Sequence, residues 1–568
     1  MRKARASNAP EAETTAGKVR GKLKDKGSMA VYLGIPYAAP PTGNRRWRPP
    51  QPVERWSRTK KCTKLGPFAY QRRVAFDLFF RGLIDGMGLN PARKKALAAA
   101  VKLAPLKESE DCLTLNVRAP AYAKNLPVMV WIHGGDHTDG SAGEPHYQSN
   151  SLPQRGCVLV SINYRLGLFG FLAHPELATE SPDAVSGNYG LLDQVAALQW
   201  VQDNIANFGG DPGNVTIFGE SAGGEAVLNL MTTPRARGLF HRAIAQSPSD
   251  SGRWLHLRRP ALDFMPAEDA GSAFATKLVG TGPNQIERLR AMDPDELYEV
   301  YRADLQLGRY FYPAVDNVIL PSAPMSAFTS GQQAAVPLMI GYTSDEGTLL
   351  RELMNPAGAE YAPPVPPGLE VTNNPTQITP ESVRSDLDRS YPSAQHVDRL
   401  LAAYPGLATL DEQAVIDHIG DHMFGVHVDH ASRCHADQGH PVYRYHFRSV
   451  PASEKQTIGA FHAADLFYVF DTAFPMIPEP KDAHLLKREM GDRWFAFAAT
   501  GAPDSPGRDS WTPYQPSDPK HMVFDRPASS TQPCPPQPGL DVMRERVQWL
   551  TEQLADEQDA QQQALAAN

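Results

Sequence analysis

Hydrophobic positions along the chain fall into two alternating patterns, and their order predicts an α/β fold. Continuous apolar runs open the segments 128–135, 157–167, 215–224 and 336–347. Strands that are apolar throughout and separated by helices are typical of parallel strands covered on both faces. We therefore predict a large, mostly parallel central sheet with helices on both faces. Between the second and third runs a spacing near 3.6 residues predicts a helix over 190–207, with Leu191, Leu192, Val195, Leu198, Val201 and Ile205 on its apolar side.

One large domain with two polar ends accounts for the length of the chain. Residues 1–14 are predicted to be a mobile N-terminal segment, 15–550 a single domain, and 551–568 a polar C-terminal tail. Within the domain, 72–104 carries two helical patterns broken at Gly88–Pro91. We interpret this helical insertion as a surface element packed on the body. A lid over an apolar site and a contact with a membrane surface are the alternatives.

Composition and charge exclude several classes of protein. The 568 residues carry a net charge of −7, which gives no electrostatic reason to expect nucleic acid as a partner. The longest apolar runs are too short for a transmembrane segment. The N-terminus lacks the apolar stretch of a signal peptide, so we expect a cytoplasmic protein, with a secreted mature form as the alternative. The five cysteines form no CxxC pair and are expected to be reduced thiols.

The third apolar run ends in Gly219-Glu220-Ser221-Ala222-Gly223, which matches GxSxG. A helical pattern follows, so the serine stands at a turn from strand to helix. Small residues on both sides allow a tight turn, and the N-terminus of the following helix favours developing negative charge. This is the context of a nucleophile elbow, in which the serine Oγ is exposed above a sheet. Ser221 is therefore the candidate nucleophile.

A serine hydroxyl needs a base, and the base needs an orienting acid. In the α/β-hydrolase fold these groups follow in the order serine, acid, histidine. Glu346 follows the fourth apolar run, at a strand end where open α/β sheets collect reactive groups. Asp345 beside it is the alternative acid. His462, in a small-residue loop before an apolar run, is the candidate base among 17 histidines.

Donors for an anionic intermediate are predicted at the end of the first apolar run. Acyl transfer through a serine needs backbone N–H groups aimed at the oxyanion. His133-Gly134-Gly135 ends this run before GxSxG, as an HGG-type oxyanion loop does. The N–H groups of Gly135, Asp136 and Ala222 are the candidate donors, and Gly134 is expected to line the site.

Together these motifs resemble the type-B carboxylesterase and cholinesterase family, including its bacterial para-nitrobenzyl-esterase-like members. The resemblance runs from about residue 15 to 550 and implies the α/β-hydrolase fold. It also implies Ser221 as nucleophile, Glu346 rather than Asp345 as triad acid, and His462 as base. Glu220 and Ser247 are implied as site-lining residues. The motifs that carry the resemblance are GIPYAAPPTG (34–43), SEDCLTLNV (109–117), WIHGG (131–135), NYRLGLFGFL (163–172), GNYGLLDQ (187–194), FGGDPGNVTIFGESAGG (208–224), RGLFHRAIAQS (237–247), PAVDNVILP (313–321), SDEG (344–347) and GAFHAADLFYVF (459–470).

Three departures from the family pattern concern the site and its surroundings. After HGG the family usually has Gly or Ala and then an aromatic, where this chain has Asp136 and His137. A carboxylate aimed into the site would oppose an oxyanion. Asp136 therefore either points away to a partner or binds, together with His137, a polar group on the substrate. Asp465 stands where the family commonly has Glu, and it is expected to line the site. Ala69 replaces a cysteine that family members often pair with the one at Cys112, which puts that disulfide in doubt.

The sequence therefore predicts a serine carboxylesterase that acts on a small-molecule ester, with no cofactor and no metal. His418 and His422 could share a helix face, as in some zinc sites, but no HExxH accompanies them. The same triad acting on amides, carbamates or lipid esters is the first alternative, because pocket shape decides the acyl group. A non-catalytic binding protein is the second alternative, disfavoured because all three triad positions are filled. The sequence leaves the oligomeric state open.

Overall fold

The description of the fold rests on a computed structural model. It covers residues 9–72, 82–102, 107–249, 255–261, 264–350, 380–451, 453, 455–473 and 479–566. Part of the predicted N-terminal segment (1–8), parts of the insertion (73–81 and 103–104) and the last two residues of the tail lie outside the described residues.

The strands carry the site and are numbered in chain order. They are β1 Glu11–Thr14, β2 Gly17–Arg20, β3 Lys22–Lys24, β4 Met29–Pro36, β5 Lys60–Lys61, β6 Thr114–Pro120, β7 Leu126–Ile132, β8 Val158–Ile162, β9 Gly210–Glu220, β10 Arg242–Gln246, β11 Leu338–Thr343, β12 Val442–Phe447, β13 Lys520–Phe524 and β14 Ser530–Pro533.

The α-helices of the described residues are numbered in the same way. They are α1 Pro91–Lys102, α2 Ser151–Gln154, α3 Gly167–Phe171, α4 Pro175–Glu180, α5 Tyr189–Asn204, α6 Ala222–Thr232, α7 Ala267–Val279, α8 Gln285–Ala291, α9 Pro294–Ala303, α10 Leu305–Gly308, α11 Pro324–Thr329, α12 Pro380–Ser390, α13 Ala394–Ala403, α14 Glu412–Gly420, α15 Val426–Asp437, α16 Leu466–Val469, α17 Ala483–Thr500 and α18 Pro538–Ala566. A π-helical turn, Asp421–Gly425, joins α14 to α15.

Within these ranges eleven strands form one mixed sheet, in the order β14-β13-β12-β11-β10-β9-β7-β8-β6-β4-β3. The strands from β8 through β7 to β13 are parallel, and antiparallel strands flank them on both sides. The strands β8 and β9 lie on opposite sides of β7. Such a reversal of strand order opens a crevice beyond the carboxyl ends, where α/β proteins bind ligands.

Alternate residues of the central strands are buried on opposite faces of the sheet. In β7, Val130 and Ile132 belong to the cluster that also holds Leu198 of α5 and Val227 of α6. Trp131, between them, belongs to the cluster formed with α17. Burial on both faces explains why these strands are apolar throughout instead of alternating with polar residues.

The predicted α/β architecture is confirmed, and most predicted elements are found where the patterns placed them. The four apolar runs overlap β7, β8, β9 and β11, although β7 and β9 begin two and five residues before the predicted segments. The predicted helix over 190–207 is α5 followed by a 3₁₀ turn at Ile205–Phe208. In the insertion, residues 82–86 are helical and α1 begins at Pro91, after the predicted break. Among the described helices, none combines the length and the hydropathy needed to span a bilayer.

Candidate active site

Ser221 stands alone between β9, which ends at Glu220, and α6, which begins at Ala222. Its backbone has φ 60° and ψ −128°, a strained conformation for a residue other than glycine. A Cβ added at Gly219 would collide with the carbonyl oxygen of Gly223, and one added at Gly223 would collide with that of Ile132. The turn therefore requires both glycines of GxSxG, and it has the shape expected of a nucleophile elbow.

Glu346 is held at the end of β11 by two donors. Its Oε1 accepts hydrogen bonds from the Thr343 N–H at 2.7 Å and from Ser247 Oγ at 2.6 Å. Its Oε2 lies 2.5 Å from Nδ1 of His462. Asp345, the alternative acid, instead accepts the N–H of Ala460 at 2.8 Å. The structure therefore brings Glu346, and not Asp345, to the histidine.

The ring of His462 lies between two carboxylates. Nδ1 faces Glu346, and Nε2 lies 3.2 Å from Oε1 of Glu220, the residue that precedes Ser221. The ring of Phe424, from the π-helical turn, packs on the imidazole with 4.4 Å between centroids. In the described part of the chain, no hydrogen bond joins Ser221 Oγ to His462. In this structure Nε2 of His462 therefore faces Glu220 and not Ser221.

Burial and mutual repulsion set the charges around His462. Burial alone would lower the pKa of His462, but the carboxylates of Glu220 and Glu346 outweigh it and raise this pKa to about 9. Burial raises the pKa of Glu220 to about 8, with the opposing pull of His462 included. Burial likewise raises the pKa of Asp465 to about 6. The site therefore stabilises a positively charged imidazole, the form that a general base reaches after taking a proton.

Asp465 and Ser247 support the site from behind. Both are fully buried. Asp465 Oδ2 accepts hydrogen bonds from Gln246 Nε2 and Tyr445 OH, both at 2.9 Å. Ser247 contacts the site through Glu346 alone among the described side chains. These two residues therefore hold neighbouring groups in place and do not face open space.

The loop at 134–140, called the oxyanion loop below, lies against the elbow. A Cβ added at Gly134 would stand 3.0 Å from the Cβ of Ser221 and 2.5 Å from the carbonyl oxygen of Glu220. Gly135 has φ +105°, and its carbonyl accepts the N–H of Asp139 at 2.8 Å. Within the described residues, the N–H groups of Gly135 and Ala222 have no hydrogen-bond acceptor. Two of the three predicted donors are thus available to a ligand.

The two residues that depart from the family pattern both have partners in the fold. The carboxylate of Asp136, which is partly exposed, accepts a hydrogen bond of 2.6 Å from the hydroxyl of Tyr312. His137 is only 1% exposed, and its Nε2 lies 3.2 Å from Oε2 of Glu225. Of the two side chains, Asp136 is therefore the one that a substrate can reach.

Sequence reasoning missed several residues that shape the site. The aromatic run at 310–312 fits a pocket wall and the core equally well by sequence, so Tyr312 is not singled out. Nothing local singles out Phe424, Gln246 or Tyr445. Their contacts join distant parts of the chain and leave no local signal. Glu225 does leave a local signal, because it is the one charged residue in the helical run AGGEAVLNLM. A buried carboxylate needs a partner.

No group of three or more potential metal ligands is found among the described residues. His418 and His422 are both buried, with 5.8 Å between ring centroids. Burial lowers the pKa of both rings.

Three comparisons relate the chain to known proteins. The profile of the carboxylesterase family matches residues 8–537. The chain is 32% identical over 523 residues to the fumonisin B1 esterase of Sphingopyxis macrogoltabida, covering 88% of this chain and 84% of that protein. It is 34% identical over 542 residues to the liver carboxylesterase of Sus scrofa, covering 89% and 88%. A solved PNB esterase superposes with a TM-score of 0.74 at 29% identity, covering 94% of this chain and 100% of that chain.

Proposed function

The chain belongs to the carboxylesterase family and is an ester hydrolase, and we propose that it works through an acyl-enzyme formed on Ser221. His462 and Glu346 complete the proposed triad. The observation that carries the proposal is the series of contacts from Glu346 through His462 to the strand end beside Ser221. Glu346 Oε2 lies 2.5 Å from His462 Nδ1, and His462 Nε2 lies 3.2 Å from the residue preceding the serine. Acyl transfer through serine requires these three groups in this order.

In the first half-reaction, Ser221 Oγ attacks the ester carbonyl carbon while His462 Nε2 takes its proton. The catalytic hydrogen bond between the two forms when substrate occupies the site, since such bonds are often long or misaligned in empty sites. Glu346 accepts the hydrogen bond of Nδ1–H and stabilises the imidazolium. The bond from the carbonyl carbon to the alcohol oxygen then breaks. The alcohol leaves with the proton from Nε2, and the acyl group remains on Ser221.

In the second half-reaction, water replaces the serine. His462 Nε2 takes a proton from the water as its oxygen attacks the acyl carbon, and returns it to Ser221 Oγ when the acid leaves. In both steps the negative charge on the carbonyl oxygen is bound by the N–H groups of Gly135, Asp136 and Ala222. The lack of acceptors for the Gly135 and Ala222 N–H groups in the described part of the chain supports this assignment.

Covalent labelling tests the proposal directly. A fluorophosphonate probe is expected to label the wild-type chain at Ser221, and Ser221→Ala should lose both labelling and hydrolysis of p-nitrophenyl butyrate. The matched control is Ser141→Ala, which alters the serine of the other Ser-Ala-Gly sequence, whose Oγ contacts Asn163. This control should retain labelling. Hydrolysis that persists in Ser221→Ala at the wild-type rate would refute the acyl-enzyme.

A further inference from the structure

A buried contact between a histidine and a carboxylate links the oxyanion loop to the helix that follows Ser221. His137 lies on the loop directly after Asp136, and its Nε2 is 3.2 Å from Oε2 of Glu225. The two side chains are 1% and 6% exposed. Glu225 lies in the first turn of α6, where its N–H donates to the carbonyl of Ser221. The contact therefore joins the two elements that carry the proposed oxyanion donors.

His137 is the group that can offset the charge of Glu225. No lysine or arginine of the described ranges forms an ion pair with this carboxylate. His133 and Tyr164 stack on each other in the same region, at 4.5 Å between centroids. Burial lowers the pKa of His133 to about 4 and raises the pKa of Tyr164, so neither carries charge at neutral pH. A buried carboxylate with no cation beside it is strongly unfavourable.

The location of this carboxylate matters because the reaction creates negative charge nearby. The tetrahedral intermediate places its charge at the N–H groups of Gly135, Asp136 and Ala222. Glu225 follows Ala222 by three residues on the same helix. In a low-dielectric site, an uncompensated carboxylate there opposes the developing oxyanion. His137 Nε2, 3.2 Å from Oε2 of Glu225, is the group placed to reduce that opposition.

The backbone of the loop also needs anchors. Asp136 and His137 are consecutive residues with positive φ, 53° and 52°. This left-handed region is unfavourable for residues other than glycine. The carbonyl of His137 accepts the N–H of Gly167 at 2.8 Å, and its ring lies beside the carboxylate of Glu225. The pair therefore bears on both the charge and the geometry of the oxyanion loop.

We propose that His137 and Glu225 act as one charge-compensating pair, as positioning residues that keep the Glu225 carboxylate from opposing the oxyanion. The inference rests on the proposed acyl-enzyme function. An aromatic ring of similar size could fill the space beside α6 but could not neutralise the carboxylate.

A double-mutant cycle on the full chain tests the pair. The variants are His137→Phe, Glu225→Gln and the double variant, assayed with p-nitrophenyl butyrate and with a trifluoromethyl ketone that binds serine as an oxyanion. We expect His137→Phe to lower kcat and weaken ketone binding by about tenfold or more, with little change in KM. The double variant should recover to within about threefold of Glu225→Gln, because no charge then remains to be compensated.

The proposal would be overturned if the effects of the two substitutions on kcat and on ketone binding were additive. It would also be overturned if His137→Phe lowered thermal stability but left ketone binding unchanged. If His137→Phe does not fold, His137→Gln replaces it in the same cycle. The control is His521→Phe, a buried histidine on β13, which should lower thermal stability without changing ketone affinity. If Ser221→Ala keeps its activity, the proposed function fails. If wild type labels at Ser221 but the cycle is additive, only the pair fails.

Discussion

At the scale of single residues, the charge around His462 decides how the candidate base behaves with pH. Two carboxylates face its two ring nitrogens, Glu346 at Nδ1 and Glu220 at Nε2. They raise its pKa to about 9 against the effect of burial. A base must be unprotonated to accept the serine proton, so kcat/KM should rise with pH as His462 loses its proton.

Glu220→Gln is expected to move this rise to lower pH. The charge of Glu220 is the largest single effect that raises the pKa of His462, ahead of the charge of Glu346 and of the Glu346 hydrogen bond. Its removal should lower the midpoint of the ascending limb by about one unit or more. The measurement is kcat/KM for a neutral ester between pH 5 and 10, in steps of about half a pH unit.

The matched control for Glu220→Gln is Asp345→Asn. Asp345 adjoins Glu346 in sequence but bonds to the backbone of Ala460 instead of His462. Its variant should leave the midpoint in place. If the midpoint of the kcat/KM profile were unchanged or higher in Glu220→Gln, the two carboxylates would not set the pKa of His462 in this way.

Tyr312 is expected to matter because it holds a carboxylate at the edge of the oxyanion loop. Its hydroxyl donates to Asp136 at 2.6 Å. Tyr312→Phe removes this hydrogen bond, and kcat/KM should fall about fivefold, equivalent to about 1 kcal/mol. The double variant Asp136→Asn with Tyr312→Phe should lose less than Tyr312→Phe alone. Equal losses in the two would assign Tyr312 a packing role only.

Local sequence identified Ser221 as the candidate nucleophile but could not identify this contact. The two glycines, the preceding apolar run and the following helix all lie within a few residues of Ser221. Tyr312 and Asp136 are 176 positions apart, and nothing near either of them signals the other. The same holds for His137 and Glu225, although a single charged residue in a buried helix is itself a signal that a partner is needed.

At the scale of elements, α14, the π-helical turn and α15 bury a row of histidines. His418, His422, His427 and His430 are each at most 8% exposed. Burial lowers the pKa of His427 to about 3 and that of His430 to about 4. Each therefore stays neutral in the fold at a pH where the unfolded chain would protonate it. Such groups stabilise the fold fully above about pH 6.5 and lose this contribution as pH falls toward the folded pKa.

His427→Gln is expected to flatten this dependence. Relative to the variant, wild type should lose about 1.4 kcal/mol of unfolding free energy per pH unit between pH 6 and 4. Buried carboxylates such as Asp421, whose pKa burial raises to about 6, act in the opposite direction but cancel in the difference. The measurement is urea unfolding at pH 7, 6, 5 and 4.

The control for His427→Gln is Val428→Ala, a fully buried neighbour with no titrating group. It should destabilise the fold by an amount that does not depend on pH. A constant difference between wild type and His427→Gln over the same range would mean that His427 does not stay neutral in the folded state.

The strands that the sequence predicted are those whose neighbours on both faces make them apolar throughout. β7, β8, β9 and β11 have this property, and the pattern alone revealed them. β10, Arg242–Gln246, has only three apolar residues in a row. Its pairing with β9 on one side and β11 on the other makes it a strand. That pairing is a feature of the tertiary structure, and the hydrophobic periodicity of the sequence does not reveal it.

At the scale of the whole molecule, the sheet assembles the site from residues far apart in sequence. Ser221 follows β9, Glu346 follows β11, and His462 lies on the connection after β12. These parallel strands end on the same side of the sheet, with β10 between β9 and β11. Strand order therefore explains how the chain brings Glu346 to a histidine 116 positions later.

The same packing leaves all five cysteines as free thiols, and it predicts how they react. Cys112 lines one small pocket together with Ala69, so the thiol that the family pattern would pair has no sulfur partner there. Burial raises the pKa of Cys62 and Cys434 to about 11, and the thiolate is the reactive form. Under native conditions a disulfide reagent should therefore modify these thiols slowly, whereas in denaturant without reductant it should titrate all five. Thermal unfolding should be the same with and without reductant. If only three thiols titrated in denaturant, and reductant lowered the midpoint of thermal unfolding, the chain would contain a disulfide that this packing does not show.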